Sequence, residues 1–90
     1  MKDAATLLAE SLTPKQRDVI LKLSRRRRRA IDFCGSTAAA LRLPTSKRPA
    51  LTDRDMTRDH GRRTAWYFLN ATGEEVASAL RAHAAIAGEG

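Results

Sequence analysis

Apolar residues in this chain recur at helical spacing in some stretches and gather into a strand-like run in another. Over residues 3–12, Ala4, Leu7, Leu8 and Leu12 share one helical face, and Asp3 stands where an N-cap belongs. The next segment opens on "TPKQ". Thr13 is a good N-cap, Pro14 suits the first helical position, and Gln16 is placed to close a capping box. The apolar stripe of that second helix includes Val19, Ile20 and Leu23. It cannot run on through "RRRRR", because Arg27 would fall on the stripe. A turn is therefore expected near residues 24–27, followed by a short third helix with Ala30, Ile31 and Cys34 on its apolar side. In that reading Ile31 and Phe33 anchor the arginine run at a corner of the fold. A free basic arm is the other reading, since runs of like charge are often disordered.

"GSTAAALRLP" starts with a break and ends at a proline. Ser36 or Thr37 is expected to cap a helix running to about Leu43, with Ala38 and Leu41 inward and Pro44 stopping it. "PTSKRP" reads as a loop. Residues 50–55 read as a strand with Leu51 as its main apolar residue, "MTRDHGRR" as a polar connection, and "TAWYFL" (64–69) as the strongest strand. Together they form a hairpin with a long basic tip. A last helix follows Asn70 or Thr72 as cap. Glu74 and Glu75 lie at its positive end, and Val76, Leu80 and Ala84 line one face.

Tyr67 and Leu69 alternate with Trp66 and Phe68, so one pair belongs in the core and the other needs a cover. The N-terminal helix is the simplest cover. A second subunit, joined through the terminal helices, or another partner are the alternatives.

Charge sharpens this picture. The net charge is +7. Residues 15–29 hold eight Lys/Arg against one Asp, and residues 42–63 hold seven against three, while the remaining segments are net acidic. Cations concentrated in two blocks point to a polyanionic partner. One cysteine excludes an intrachain disulfide, and the residues offer no metal-ligand spacing and no cofactor motif. Cys34 reads as a small buried hydrophobe. Asp53, Asp55 and Asp59 interrupt the basic hairpin and would repel phosphate, unless they pair with Arg54, Arg58 or Arg62 as hairpin salt bridges. No phosphate loop and no nucleophile–base pair argue for an enzyme. No apolar run is long enough for a membrane span, and the N-terminal stretch lacks a signal-like apolar region, so a cytoplasmic protein is expected.

The order of helices, strand, basic tip, strand and helix resembles a winged helix-turn-helix. The likeness is strongest over "LTDRDMTRDHGRRTAWYFLNATGEEVASALR", which resembles the wing and following helix of MarR-type regulators. Gly61 and Arg62 match the tip, Tyr67 and Leu69 the strand, and Asn70, Gly73 and Val76 the helix start. "LTPKQRDVILKL" resembles the first core helix of such domains. Two features depart from the pattern: the recognition helix is short and alanine-rich, and arginines stand where a second helix belongs.

The resemblance implies a mostly helical α+β fold with a two-stranded β-hairpin wing, in one domain over residues 1–90. Residues 1–12 form the N-terminal helix, 13–49 the helix-turn-helix region, 50–69 the wing hairpin and 70–87 the C-terminal helix. It implies a small transcriptional regulator that binds duplex DNA. Ser36, Thr37, Ala39, Ala40 and Arg42 would face the major groove, with Arg42 alone suited to guanine. Arg58, His60, Arg62 and Arg63 would lie at the minor groove or its phosphates. Arg25, Arg26, Arg27, Arg28 and Arg29, with Lys47 and Arg48, would contact the backbone. The alternatives are a protein-interaction module on the same fold that takes an acidic protein partner, and RNA binding through the arginine run.

Overall fold

The computed structural model describes residues 3–30, 33, 35–46 and 48–89, with residues 83–89 and Asp59 described by backbone alone. Four helices and a three-stranded antiparallel sheet make up the fold. Helix α1 spans Ala4–Ser11 and is capped by Asp3, whose Oδ1 accepts the Thr6 N–H at 2.8 Å. Hydrogen bonds from Thr6, through its side chain first and its backbone second, hold the Asp3 carboxyl below the usual carboxylate range.

Helix α2 spans Pro14–Arg25 and carries the expected capping box in full. Thr13 Oγ1 accepts from the Gln16 N–H at 3.2 Å, and Gln16 Oε1 accepts from the Thr13 N–H at 2.9 Å. Val19, Ile20 and Leu23 are its buried face.

After an extended Arg26, the arginines enter the sheet. Strand β1, Arg28–Arg29, pairs antiparallel with strand β3, Arg62–Leu69, through Arg28 opposite Tyr67 and Arg29 opposite Trp66. The turn near residues 24–27 is therefore present, but the following residues begin as a strand. A third strand joins the two that the sequence suggests. Of the short helix expected around Ala30, Ile31 and Cys34, the last two positions lie outside the described residues, as does Lys47. Phe33 is described: it is half-buried and meets Tyr67 edge-to-face at 6.3 Å.

Helix α3 spans Gly35–Arg42 with Ala38 and Leu41 buried. It starts earlier than the cap reading gives, so Ser36 and Thr37 lie in its first turn rather than before it. Its start lies beside Ala30, at the end of β1. Near its other end the Leu41 carbonyl accepts the Leu51 N–H at 2.9 Å, and the buried Thr52 hydroxyl donates to the Ala38 carbonyl at 2.8 Å. Helix α3 thus links the end of β1 to the start of strand β2, Thr52–Asp59.

Strands β2 and β3 pair over their full length, from Thr52 opposite Leu69 to Asp59 opposite Arg62. The expected long tip shrinks to a two-residue turn at His60 and Gly61, which have φ of 51° and 79°. Two successive left-handed residues are the type I′ geometry that matches strand twist. Met56, Thr57, Arg58, Arg62 and Arg63 consequently lie in strands rather than in a loop. Open space surrounds the Gly61 Cα, so a side chain there would meet only backbone strain. Gly61→Ala is expected to cost about 1 kcal/mol. The readout is a lower urea midpoint with an unchanged slope.

Helix α4, Ala71–Glu89, is capped by Asn70, whose Oδ1 accepts the Gly73 N–H at 2.8 Å. The same side chain donates to the Ala50 carbonyl at 2.6 Å, tying the helix start to the chain entering β2. Val76 and Leu80 are buried as expected, while the side chain of Ala84 lies outside the described set. The core is one cluster in which α2 is central: it packs against α3, α4 and β3. Helix α1 packs on α4 and not over the sheet. Tyr67 and Leu69 are the core pair.

Candidate nucleic-acid interface

Strand pairing brings the two basic blocks together. Arg26, Arg27, Arg28 and Arg29 line a cavity of about 420 Å³ together with Trp66. A second depression, of about 370 Å³, is lined by Arg29, Ala30, Met56, Arg62, Arg63, Thr64 and Ala65. Arg29 belongs to both. A continuous cationic border therefore runs along β1 and on past its end, beside residues 62–65 of β3. It exists because β1 is short: it pairs with Tyr67 and Trp66 and leaves the outer half of that edge open.

The arginines of the run differ, and Arg25, the last residue of α2, does not line either cavity. Arg25, Arg26 and Arg27 are exposed, and Arg28 and Arg29 are half-buried. Arg28 Nε donates to the Lys22 carbonyl at 3.4 Å, which turns its stem back over the end of α2. The Arg27 guanidinium lies 5.2 Å from the Trp66 ring centroid and 5.9 Å from that of Phe68, and the Arg29 guanidinium lies 5.9 Å from Trp66. These contacts answer which group covers the second aromatic pair. The N-terminal helix expected there packs elsewhere, and arginine planes take its place. Guanidinium groups suit this position because they stack on aromatic faces while their edges remain hydrated.

Arg58, His60, Arg62 and Arg63 are all exposed on the outer hairpin. Arg58 stands directly opposite Arg63. Like charges in directly opposed strand positions destabilise a sheet. An anion seated on the hairpin would relieve it. Of the acidic residues nearby, Asp53 and Asp55 are engaged otherwise than in hairpin salt bridges. Asp55 binds Arg27 Nη2 at 3.2 Å, so its partner comes from the arginine run. The Asp53 carboxylate accepts the Arg54 N–H at 2.8 Å. Asp59 lies opposite Arg62 in register, and its side chain is outside the described set.

Helix α3 supplies less. Ser36 is exposed and Thr37 half-buried at its start, beside the β1 end; Ala40 is exposed, and Ala39 is half-buried against the core. Arg42 is at the other end, half-buried, with its Nε buried and without a hydrogen-bond partner. Arg48 is also half-buried with an unpartnered Nε, in a tight turn where Thr45 and Arg48 exchange backbone hydrogen bonds. Neither lines the cationic border. Sequence reasoning placed them with the other phosphate and base contacts; the fold separates them, because the chain runs away from β1 along α3. What sequence reasoning missed is Trp66 within the border. Its signal was the alternation that left Trp66 and Phe68 on the outer face.

The terminal helices, read as a dimer surface, pack on each other within the chain, with Leu7 still exposed. Among the described residues no cluster of metal-ligating side chains occurs, and no helix is long and apolar enough to cross a membrane. No protein-family model, curated protein or solved structure matches this chain, so its functional reading rests on the geometry of the arginine border.

Proposed function

We propose that this protein is a small winged-helix DNA-binding regulator that grips duplex DNA mainly by its phosphates. The observation that carries the reading is the position of Arg29. It joins the arginine run to Arg62 and Arg63 in one surface, although the two blocks are far apart in the chain. A surface of that kind fits a polymer of regularly spaced anions better than a single small ligand. The hairpin would act as the wing and α3 as the helix presented to the groove. The exposed side chains of α3 are small, so base reading would be slight and affinity would come from backbone contacts. The opposed Arg58–Arg63 pair supports the same reading, because it is a folding cost that phosphate would offset.

The test is the Arg58→Ala, Arg62→Ala, Arg63→Ala triple variant against a labelled duplex of mixed sequence, between about 0.05 and 0.2 M salt. All three side chains are exposed, so the fold is expected to be unchanged by circular dichroism. Affinity at the lower salt should fall at least ~10-fold, and the slope of log K against log salt should shrink by about 2 to 3. An unchanged slope removes the wing from the interface. Tight binding of an acidic protein, with no duplex retained at moderate salt, transfers the reading to a protein-interaction module.

A further inference from the structure

Trp66 and Phe68 lie on the face of the sheet's central strand opposite the core residues Tyr67 and Leu69, and are half-buried. Asp55 and Asp53 are their cross-strand neighbours on β2, and Arg29 is opposite Trp66 on β1. Trp66 is held in place by its Nε1, which donates to Thr57 Oγ1 at 2.9 Å. The indole is thus fixed by its edge while its face carries arginine planes. We propose that this face is a stacking platform for unpaired bases of single-stranded DNA.

Three observations lead there. First, aromatic rings two residues apart on a strand point the same way and stand roughly 7 Å apart along it, so each can take a base. Second, the β1 side of the platform is cationic: Arg26, Arg27, Arg28 and Arg29 line a cavity together with Trp66. Planar faces bordered by cations along one side match a polymer that alternates flat bases with phosphates. An apolar protein partner would meet four guanidinium groups at the same place. Third, the two carboxylates that flank the rings are confined to the β2 side, so the phosphates of a bound strand would follow the β1 side. Asp55 is paired with Arg27, and Asp53 is turned to a backbone N–H.

Arg27 then has a definite part. It rests over both rings and is bound to Asp55, with its side chain about half exposed. Exposed ion pairs and cation–π contacts are weak and easily exchanged. Arrival of a strand lets the guanidinium swing from the ring to a phosphate, and a base takes the vacated plane. A duplex cannot do this, since its bases are already stacked. The platform shares Arg29 with the duplex border, so the strand occupying it is assigned as DNA. In that assignment alone the inference rests on the proposed function.

The chain has one tryptophan, so Trp66 emission reports directly on the platform. Wild-type protein is titrated with short oligo(dT) and with an abasic oligomer carrying the same number of phosphates. Oligo(dT) is expected to quench Trp66 and to bind ~10-fold or more tightly than the abasic strand, the effect of one or more stacked bases. With binding followed by anisotropy of a labelled strand, since these variants lack the tryptophan, Trp66→Phe should keep that preference, and Trp66→Ala should reduce it while retaining abasic binding. Asp55→Asn, which frees Arg27, should bind oligo(dT) more tightly than wild type.

Equal binding of oligo(dT) and abasic strand overturns the platform, and this comparison on wild-type protein decides even where Trp66→Ala does not fold. A ribo-oligomer that binds more than ~10-fold tighter than its deoxy counterpart overturns the assignment to DNA. The two readings fail separately. Duplex binding with no base preference removes only the platform, and base-dependent strand binding with no duplex affinity removes only the wing mechanism.

Discussion

Gly73→Ala is expected to melt about 15 °C or more below the wild-type protein. Helix propensity alone argues the opposite, since alanine in a helix is favoured over glycine by about 1 kcal/mol. Packing reverses the sign. A Cβ at Gly73 would stand 2.0 Å from the Leu51 carbonyl oxygen, 3.1 Å from the carbon of the same group and 3.2 Å from the Leu69 Cβ. The nearest atom is backbone, so no rotamer change relieves the overlap. That carbonyl also accepts the Asn70 N–H at 3.2 Å, and the Leu51 N–H is bound to Leu41. Moving the strand entry away from α4 would break both links and pull at the Asn70 cap.

A forced shift of this kind costs about 3 kcal/mol or more. In a domain of this size each kcal/mol moves the midpoint by about 4–8 °C. Calorimetry reads the result. A midpoint within about 2 °C of wild type would mean that α4 does not approach Leu51 this closely.

Ile20→Ala is the second large effect, expected at about 2–5 kcal/mol. Ile20 is fully buried on α2, the helix that touches α3, α4 and β3. Truncation leaves a cavity within the core cluster, and the cost depends on how far its neighbours can close on it. Such a loss is a large share of the roughly 5–10 kcal/mol that holds a small domain together. Ile20→Val should cost about 1 kcal/mol by the same measure. Urea unfolding of both variants gives the comparison, and near-identical midpoints for alanine and wild type would place Ile20 outside the core.

The parts of this fold that local chemistry specifies were legible in the sequence. The Asp3 cap, the Thr13–Pro14–Gln16 start and the Asn70 cap are short-range arrangements, and each forms as its residues require. The inward faces at Val19, Ile20 and Leu23, and at Ala38 and Leu41, follow from helical spacing.

Two features were hidden for a physical reason. Arginines have no pattern that signals a strand. Arg28 and Arg29 become one because the edge of β3 offers backbone partners to both and the Trp66 ring to the Arg29 guanidinium. The outer hairpin was read as loop because Met56–Arg63 has lost the alternation of apolar and polar positions. There, pairing across a tight turn continues the strands after the core has ended. The candidate site was half legible. Its composition was visible in the two basic blocks, while its membership depended on which arginines β1 carries to the border and which α3 carries away.

The two-residue turn at His60 and Gly61 has a consequence for how this arm can change. Side chains alternate faces along each strand, and the turn has no spare residue to absorb an offset. One amino acid added within β2 would carry Arg58 to the opposite side from Arg63 and turn Met56 over with it. Additions of even length, matched on both strands, would preserve the arrangement and only extend the reach. Odd-length insertions should therefore scramble the basic surface of the arm without touching a core residue.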